Sequence, residues 1–384
     1  MTEKFSLPKG WRWVKLGEVC EIIMGQSPPG STYNKESKGL PFYQGKADFG
    51  NVFLLPPSTW CTEPLKIAEP NDILISVRAP VGQANICSER CCIGRGLAAI
   101  RAKKDVNLWF VFYFLRFIEK EIATLGSGST FPAISKFQIY NLKIPLPPLF
   151  EQERIVSKLQ ELMQQIDRAR SACEKQLEAA KALPSAYLRE VFESEEAKRW
   201  ERKRLGEVCE ILKGKKPELY DNKKSEAMIP YLTAEVIRFG STPKWCLKSD
   251  KNSVVVDKDE IIIIADGSNS GEVFTGYTGV LASTMGKLKI NKNVSKDYLY
   301  FFIKMNFKEL NTPKRGSATP HLDKDIFYEL SIPLPSLSEQ QRIASYLKEK
   351  MAYIQNLQSA IQKQQSAINA LPQAILRKAF RGEL

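Results

Sequence analysis

The decapeptide LPPLFEQERI at 146–155 returns as LPSLSEQQRI at 334–343. Each copy follows a Leu-x-Ile-Pro step and precedes a long amphipathic run, so a chance match of two short peptides is a poor account. Other matches keep nearly the same offset, which is 188 residues from 146 to 334. LGEVCEI stands at 16–22 and again at 205–211, and Gly25 and Pro28 recur as Gly214 and Pro217. LPFYQGKADFG (40–50) lines up with IPYLTAEVIRFG (229–240), and DILISVRAPVG (72–82) with DEIIIIADGSNSG (259–271). VNLWFVFYFLR (106–116) pairs with VSKDYLYFFIK (294–304), GSGSTFPAI (126–134) with KRGSATPHL (314–322), and LPSAYLREVF (183–192) with LPQAILRKAF (371–380). A period this long is a tandem duplication of a domain-sized plan rather than a solenoid of short repeats. At 384 residues the chain exceeds one ordinary core in any case.

Each copy has two parts. The first mixes β-branched runs with Gly, Pro and Asn turns and one aromatic segment, a buried helix or strand, near its end. Its Leu-x-Ile-Pro-Leu-Pro stretch closes the globule, because prolines cannot continue a ladder. The second part is helical. From Ile155 the apolar positions step by four and three through Leu159, Leu162, Ile166, Ala169, Cys173, Gln176, Ala180, Leu183 and Tyr187. From Ile343 the same steps give Leu347, Lys350, Ile354, Leu357, Ile361, Gln364, Ile368, Leu371 and Ile375. These are heptad seams in identical phase, with Gln176 and Gln364 as a shared polar defect, either a register device or a solvated edge. A globule lies between the two helices in sequence, so an antiparallel coiled coil is the simplest way for the seams to meet. Ser338 and Gln341 form a capping box at the start of the second helix, which Phe150 denies to the first. Pro184 and Pro372 should kink or end their helices. The expected class is α+β: globules at 1–148 and 194–336, each followed by a long helix at 149–193 and 337–384.

Several function classes are disfavoured. The formal net charge of +13 favours a polyanionic partner, nucleic acid or an acidic membrane surface. No apolar run reaches the ~18 residues of a membrane span, and no signal-peptide core opens the chain, so a cytoplasmic protein is expected. Cys87, Cys91 and Cys92 cluster without the paired spacing of a structural zinc site, so reduced thiols are the better reading. The single histidine, His321, nearly excludes a hydrolytic triad. No phosphate-cradling G-x-x-x-x-G-K-[ST] loop occurs, and IGRGL (93–97) lacks the context of a dinucleotide loop. SPPG (27–30) lacks the flanking residues of an amino-methyltransferase motif and reads as a turn.

Two divergent globules, each closed by IPLPPLFEQERI or IPLPSLSEQQRI and followed by a long helix, with AFRGEL at the end, resemble the specificity (S) subunit of Type I restriction–modification systems. GQSPPGSTYN and FYQGKADFG also look like segments of its target-recognition domains. The resemblance covers the whole chain. It implies that each globule reads one half of a bipartite, asymmetric site in double-stranded DNA and that the helices set the interval between the halves. It also implies two adenine methyltransferase (M) subunits, with restriction (R) subunits added to them. S-adenosylmethionine, ATP and magnesium would sit on those partners, and this chain would hold no cofactor, metal or catalytic residue.

Candidate DNA contacts are polar or basic residues in turn segments between apolar runs. In the first globule they are Gln26, Ser27, Gln44, Lys46, Arg78, Arg95, Ser129 and Lys136. In the second they are Lys213, Lys215, Lys216, Arg238, Asn269, Lys287, Lys314 and Arg315, with GKKPELYDNKK (214–224) the most basic loop. Two other functions stay open on sequence: a DNA-binding regulator acting alone, and a divergent DNA methyltransferase or nuclease.

Overall fold

A computed structural model describes residues 7–126, 133–217, 220–222, 224–248, 253–311 and 321–384. The chain divides into two compact units. The first is 1–174 with 363–384, and the second is 175–362. The class is α+β: two tandem globules, each followed by a long helix, at Leu149–Phe192 and Leu337–Phe380. Each helix has 44 residues, or ~66 Å at 1.5 Å per residue.

In the first unit, strands Cys20–Met24, Leu97–Ala102, Ile73–Ser76 and Ala84–Ile86 form an antiparallel sheet in that order. Its central strand reads Ile-Leu-Ile-Ser and is buried throughout. Side chains alternate between faces: Ile73 and Ile75 join the core beneath the aromatic helix Leu108–Phe117, while Leu74 faces a second core with Tyr43, Cys91 and Ile93. Both faces are covered, which is why the strand is apolar without interruption. The second core belongs to a five-stranded mixed sheet in which Leu40–Tyr43 runs parallel to Cys91–Ile93. The second unit repeats this plan. Ile262–Ile264 is its central strand, Lys296–Met305 its aromatic helix, and Met228–Leu232 runs parallel to Gly279–Leu281.

The repeated decapeptide is the joint between globule and helix. Gln152 is fully buried. Its Oε1 accepts the Asn107 N–H at 2.8 Å, and its Nε2 donates to the Pro147 carbonyl at 2.9 Å and the Asp105 carbonyl at 3.4 Å. Asn107 in turn caps the aromatic helix through Trp109 and Phe110. Gln340 repeats the arrangement with Ser295 (2.9 Å), Pro335 (2.9 Å) and Asn293 (3.4 Å). The flanking Glu and Arg close on each other, Glu151 with Arg154 and Glu339 with Arg342.

Each globule core is completed by two helix ends. In the first unit, Ile155, Val156 and Leu159 enter the core beside Leu376, Ala379 and Phe380. In the second unit, Leu188 and Phe192 do so beside Ile343, Ala344 and Leu347. The helices run antiparallel within each unit: Arg170 Nε donates to Asn369 Oδ1 (3.1 Å) in the first, and Gln358 Nε2 to the Ala180 carbonyl (3.0 Å) in the second.

Several sequence expectations need correction. Leu159, Ile166, Cys173 and Ala180 are buried, as are Leu347, Ile354, Ile361 and Ile368, but the companion column lies one residue later than counted. It holds Met163, Arg170 and Leu177 in one helix and Met351, Gln358 and Gln365 in the other, all half-buried. Gln176 and Gln364 are exposed and are no defect in the seam; Ala169 and Leu371 are also exposed, and Leu162 and Leu357 are half-buried. Neither Pro184 nor Pro372 ends its helix, since each helix runs eight residues further, to Phe192 and Phe380. Pro184 cannot donate to the Ala180 carbonyl one turn back, and the Gln358 amide takes that acceptor instead. The second helix is capped by Ser336, whose Oγ accepts the Glu339 N–H at 3.3 Å, and not by Ser338. Pro145 and Pro333 lie inside two-stranded ribbons with Trp13 and Arg202 opposite, where an edge position tolerates a missing donor.

Candidate nucleic-acid interface

One rim of the first unit collects most of the predicted contacts, because three chain segments stack backbone on backbone there. Gly25 donates its N–H to the Leu97 carbonyl (2.9 Å), and Gln26 donates to that of Ile93 (3.0 Å). Across them lies the turn Gly94-Arg95-Gly96. A Cβ on Gly94 would sit 3.0 Å from Gln44 Cγ and 3.2 Å from Ser27 Oγ, and one on Gly96 only 2.3 Å from the Gln44 carbonyl oxygen. The glycines of IGRGL thus serve close approach and leave Arg95 exposed between them, its N–H donating to Ser27 Oγ at 3.2 Å. Asp48 Oδ2 accepts the N–H groups of Gln44 (2.7 Å) and Gly45 (3.1 Å), fixing the loop that presents Lys46. Val77 donates to the Gly96 carbonyl (2.9 Å) and accepts from Ile134 (3.0 Å), which brings exposed Arg78 to the rim and Lys136 to its flank. Ser129 lies outside the described residues.

The second unit builds the matching rim from Gly214–Lys216, Asp266 and the turn Ala282-Ser283-Thr284. Gly214 donates to the Met285 carbonyl (2.8 Å), and a Cβ there would lie 2.3 Å from the Ala282 carbonyl oxygen. Lys213, Lys215 and Lys216 follow from this approach and are exposed. Lys213 Nζ is 2.9 Å from Asp266 Oδ2, and His321 Nδ1 is 2.8 Å from Asp266 Oδ1. Burial pushes the Asp266 carboxyl up, but the hydrogen bonds from His321 and Lys213 outweigh it and hold the group below the usual carboxylate range. Asn269 sits in the following turn, its Nδ2 bonded to Ser268 Oγ.

Other predicted contacts have different roles. Lys287 lies within strand Met285–Ile290, donating to the Val255 carbonyl (2.9 Å) and to Glu260 (3.0 Å), so it is a structural ion pair rather than a rim cation. Its partner Glu260 stands opposite Asp72 at the offset of 188, and Asp72 holds a bidentate pair with Arg101 at 2.9 and 2.8 Å, whereas Lys287 itself falls opposite Ala99. Arg238 is turned to Glu272, 3.1 Å away, and lies over the Phe239 ring. Lys314 and Arg315 lie outside the described residues. Sequence reading missed His321 and Asp266 as rim residues. The repeat alignment held the signal: Asp266 falls opposite Arg78, and His321 opposite Ala133, at the offset of 188. The structure pairs both couples in the same way, as isolated bridges Arg78–Ala133 and Asp266–His321.

Among the described residues no helix is long and apolar enough to cross a membrane. Comparison with known proteins then adds lineage to geometry. A curated relative, the MjaX type I restriction enzyme specificity subunit of Methanocaldococcus jannaschii, is 49% identical over 46% of this chain and 42% of its own length. The MjaVIII specificity subunit of the same organism is 38% identical over 47% and 42%. The chain thus spans less than half the length of these two relatives. The HsdS subunit from Thermoanaerobacter tengcongensis is 25% identical in its crystal structure, with a TM-score of 0.69, covering 100% of this chain and 99% of that one. A chain from a structure on complex assembly and conformational transition of the type I R-M system is also 25% identical, with a TM-score of 0.82 and 99% and 100% coverage. The family described as the Type I restriction modification DNA specificity domain matches twice, at 8–179 and 197–365, and to that family this chain belongs.

Proposed function

We propose that the chain is the DNA sequence-recognition subunit of a Type I restriction–modification complex. It binds a bipartite, asymmetric site and positions methyltransferase and restriction subunits on it. The observation that carries this reading is one rim built twice on the same scaffold with different side chains: Gln26, Arg78 and Arg95 in one unit; Lys215, Asp266 and Ser283 in the other. A duplicated frame with divergent rims suits two half-sites of different sequence. Phosphate contacts set register and affinity, while groove-facing side chains read base edges. The long helices suit a spacer between the two readings, which links two weak contacts through effective concentration. Adenine methylation requires the base to leave the stack. In this reading S-adenosylmethionine, ATP and magnesium belong to the partner subunits, and the chain itself does no chemistry.

The test is radiolabelled methyl transfer. The purified chain alone is expected to transfer none. With its methyltransferase partner and S-adenosylmethionine it should direct adenine methylation to a single bipartite motif. Transfer by the chain alone, above a no-protein control, would overturn the assignment.

The rim assignment makes its own prediction within this reading. Lys215→Met should reduce the slope of log affinity against log salt by about one. Lys287→Met should leave that slope unchanged and cost about 1–2 kcal/mol of stability, because Glu260 loses its partner. Titrations of complex assembled with each variant, at several salt concentrations, check both. Equal slopes for the two variants would mean that the rim has been placed wrongly.

A further inference from the structure

The two rims differ most sharply at one matched position. In the first unit Arg78 stands there, exposed, bridged to Ala133. In the second, Asp266 stands there, bridged to His321. The Asp266 side chain is only 21% exposed and is held by both Lys213 and His321, whereas the His321 ring is 58% exposed. A carboxylate so placed can only accept, so Nδ1 of His321 carries the hydrogen of that bond. The other ring nitrogen, Nε2, is then the atom left for a ligand. The backbone holds the ring as well as the side chain does. Leu322 donates to the Ala265 carbonyl at 2.7 Å, and Ala265 and Asp266 both donate to the Thr284 carbonyl, at 2.9 and 3.1 Å. The ring is therefore held through Nδ1, and its backbone through the isolated bridge to Asp266, beside Lys213 and the Ser283-Thr284 turn.

We infer that His321 is a specificity-determining residue of the second unit, reading one base edge of its half-site through Nε2, with Asp266 and Lys213 as positioning residues. The inference rests on the DNA-recognition reading above and deepens it. A fixed ring with one outward nitrogen suits a single directional hydrogen bond to a base edge, and Arg78 at the matched place suits a different edge. Arg commonly addresses guanine through two donors, which one imidazole nitrogen cannot do. The two half-sites therefore differ at the position each of these residues addresses.

The experiment uses the full chain assembled with its methyltransferase subunit. Methylation is measured on duplexes carrying every single-base change in the bipartite motif, for wild type, His321→Ala and Asp266→Asn. For His321→Ala, discrimination should fall about tenfold to a hundredfold at one position of one half-site. The other positions, the other half-site and the interval should stay as in wild type. Asp266→Asn should weaken discrimination at that same position, by less. Unchanged discrimination at every position would overturn the inference, and so would a uniform loss across all sequences, which would mark a phosphate contact or a collapsed rim. A wild-type complex with no bipartite motif at all would instead overturn the recognition reading, and this inference with it.

Discussion

Replacing Phe380 with alanine is expected to lower the stability of the first unit by about 3–5 kcal/mol. The side chain is 0% exposed and stands among three other rings: Phe110 and Phe114 at 5.2 Å and Phe117 at 5.5 Å between centroids. Truncation loses the transfer energy of the ring and leaves a void whose walls are the aromatic helix and the end of the long helix. The aromatic helix is secured at its start by Asn107 and Gln152 and cannot collapse freely into the void. Against a typical domain stability of about 5–15 kcal/mol the loss is large. The readout is amide exchange in strands 73–76 and 97–102, which should speed up by about two to four orders of magnitude where exchange follows global opening. Phe192→Ala is the matched change in the second unit, where the ring meets Tyr298 and Phe302 at 5.0 and 5.4 Å. Exchange at wild-type rates in Phe380→Ala would mean that the helix end merely rests on the globule.

Gln152→Leu should cost about 2–3 kcal/mol, and Gln340→Leu as much in the second unit. The volume is nearly conserved, so the penalty isolates the polar contacts. The Asn107 N–H loses its acceptor and the Pro147 carbonyl its donor, in a place that water does not reach. Gln152→Glu should be no better, because a carboxylate can accept from Asn107 but cannot donate to Pro147. Denaturant midpoints of the two variants, with unchanged m-values, are the check. A Gln152→Leu protein within about 0.5 kcal/mol of wild type would show that the duplicated glutamine does not hold the joint.

That glutamine marks how far the sequence could be read. Its recurrence was visible, and so were the helices it introduces and the doubled globule. Its role was not, because two of its three hydrogen bonds reach a loop more than 40 residues away and leave no local pattern. The heptad was half legible. Ile155 and Val156 are both buried, nearly two turns into the helix, because the stripe widens where it meets the globule. Counting from Ile155 carried the globule-facing phase along the whole helix and put Gln176 where Leu177 belongs. Charge and turn composition point to Lys213, Lys215 and Lys216, which are exposed at the rim. The same criteria could not separate Lys287, whose partner Glu260 comes from a neighbouring segment. They also give no sign of the place of His321 at the rim, which shows only when the copies are laid together and it falls opposite Ala133.

The carbonyl of Ala180 has a consequence for alignment of the two helices in the second unit. A proline placed in a helix creates a vacancy at one depth, a socket that the helix cannot fill from its own backbone. A neighbour with a donor at that depth can fill it, and Gln358 does. Apolar columns with a seven-residue repeat tolerate a slip of a whole heptad, since each Ile, Leu or Cys finds another much like it. The socket tells the two directions of slip apart: one brings Gln365, whose amide can replace that of Gln358, while the other brings Met351, which has no N–H to give and leaves the Ala180 carbonyl open. Pro184 thus works as a one-way stop, barring the slip that would set Met351 against the open carbonyl.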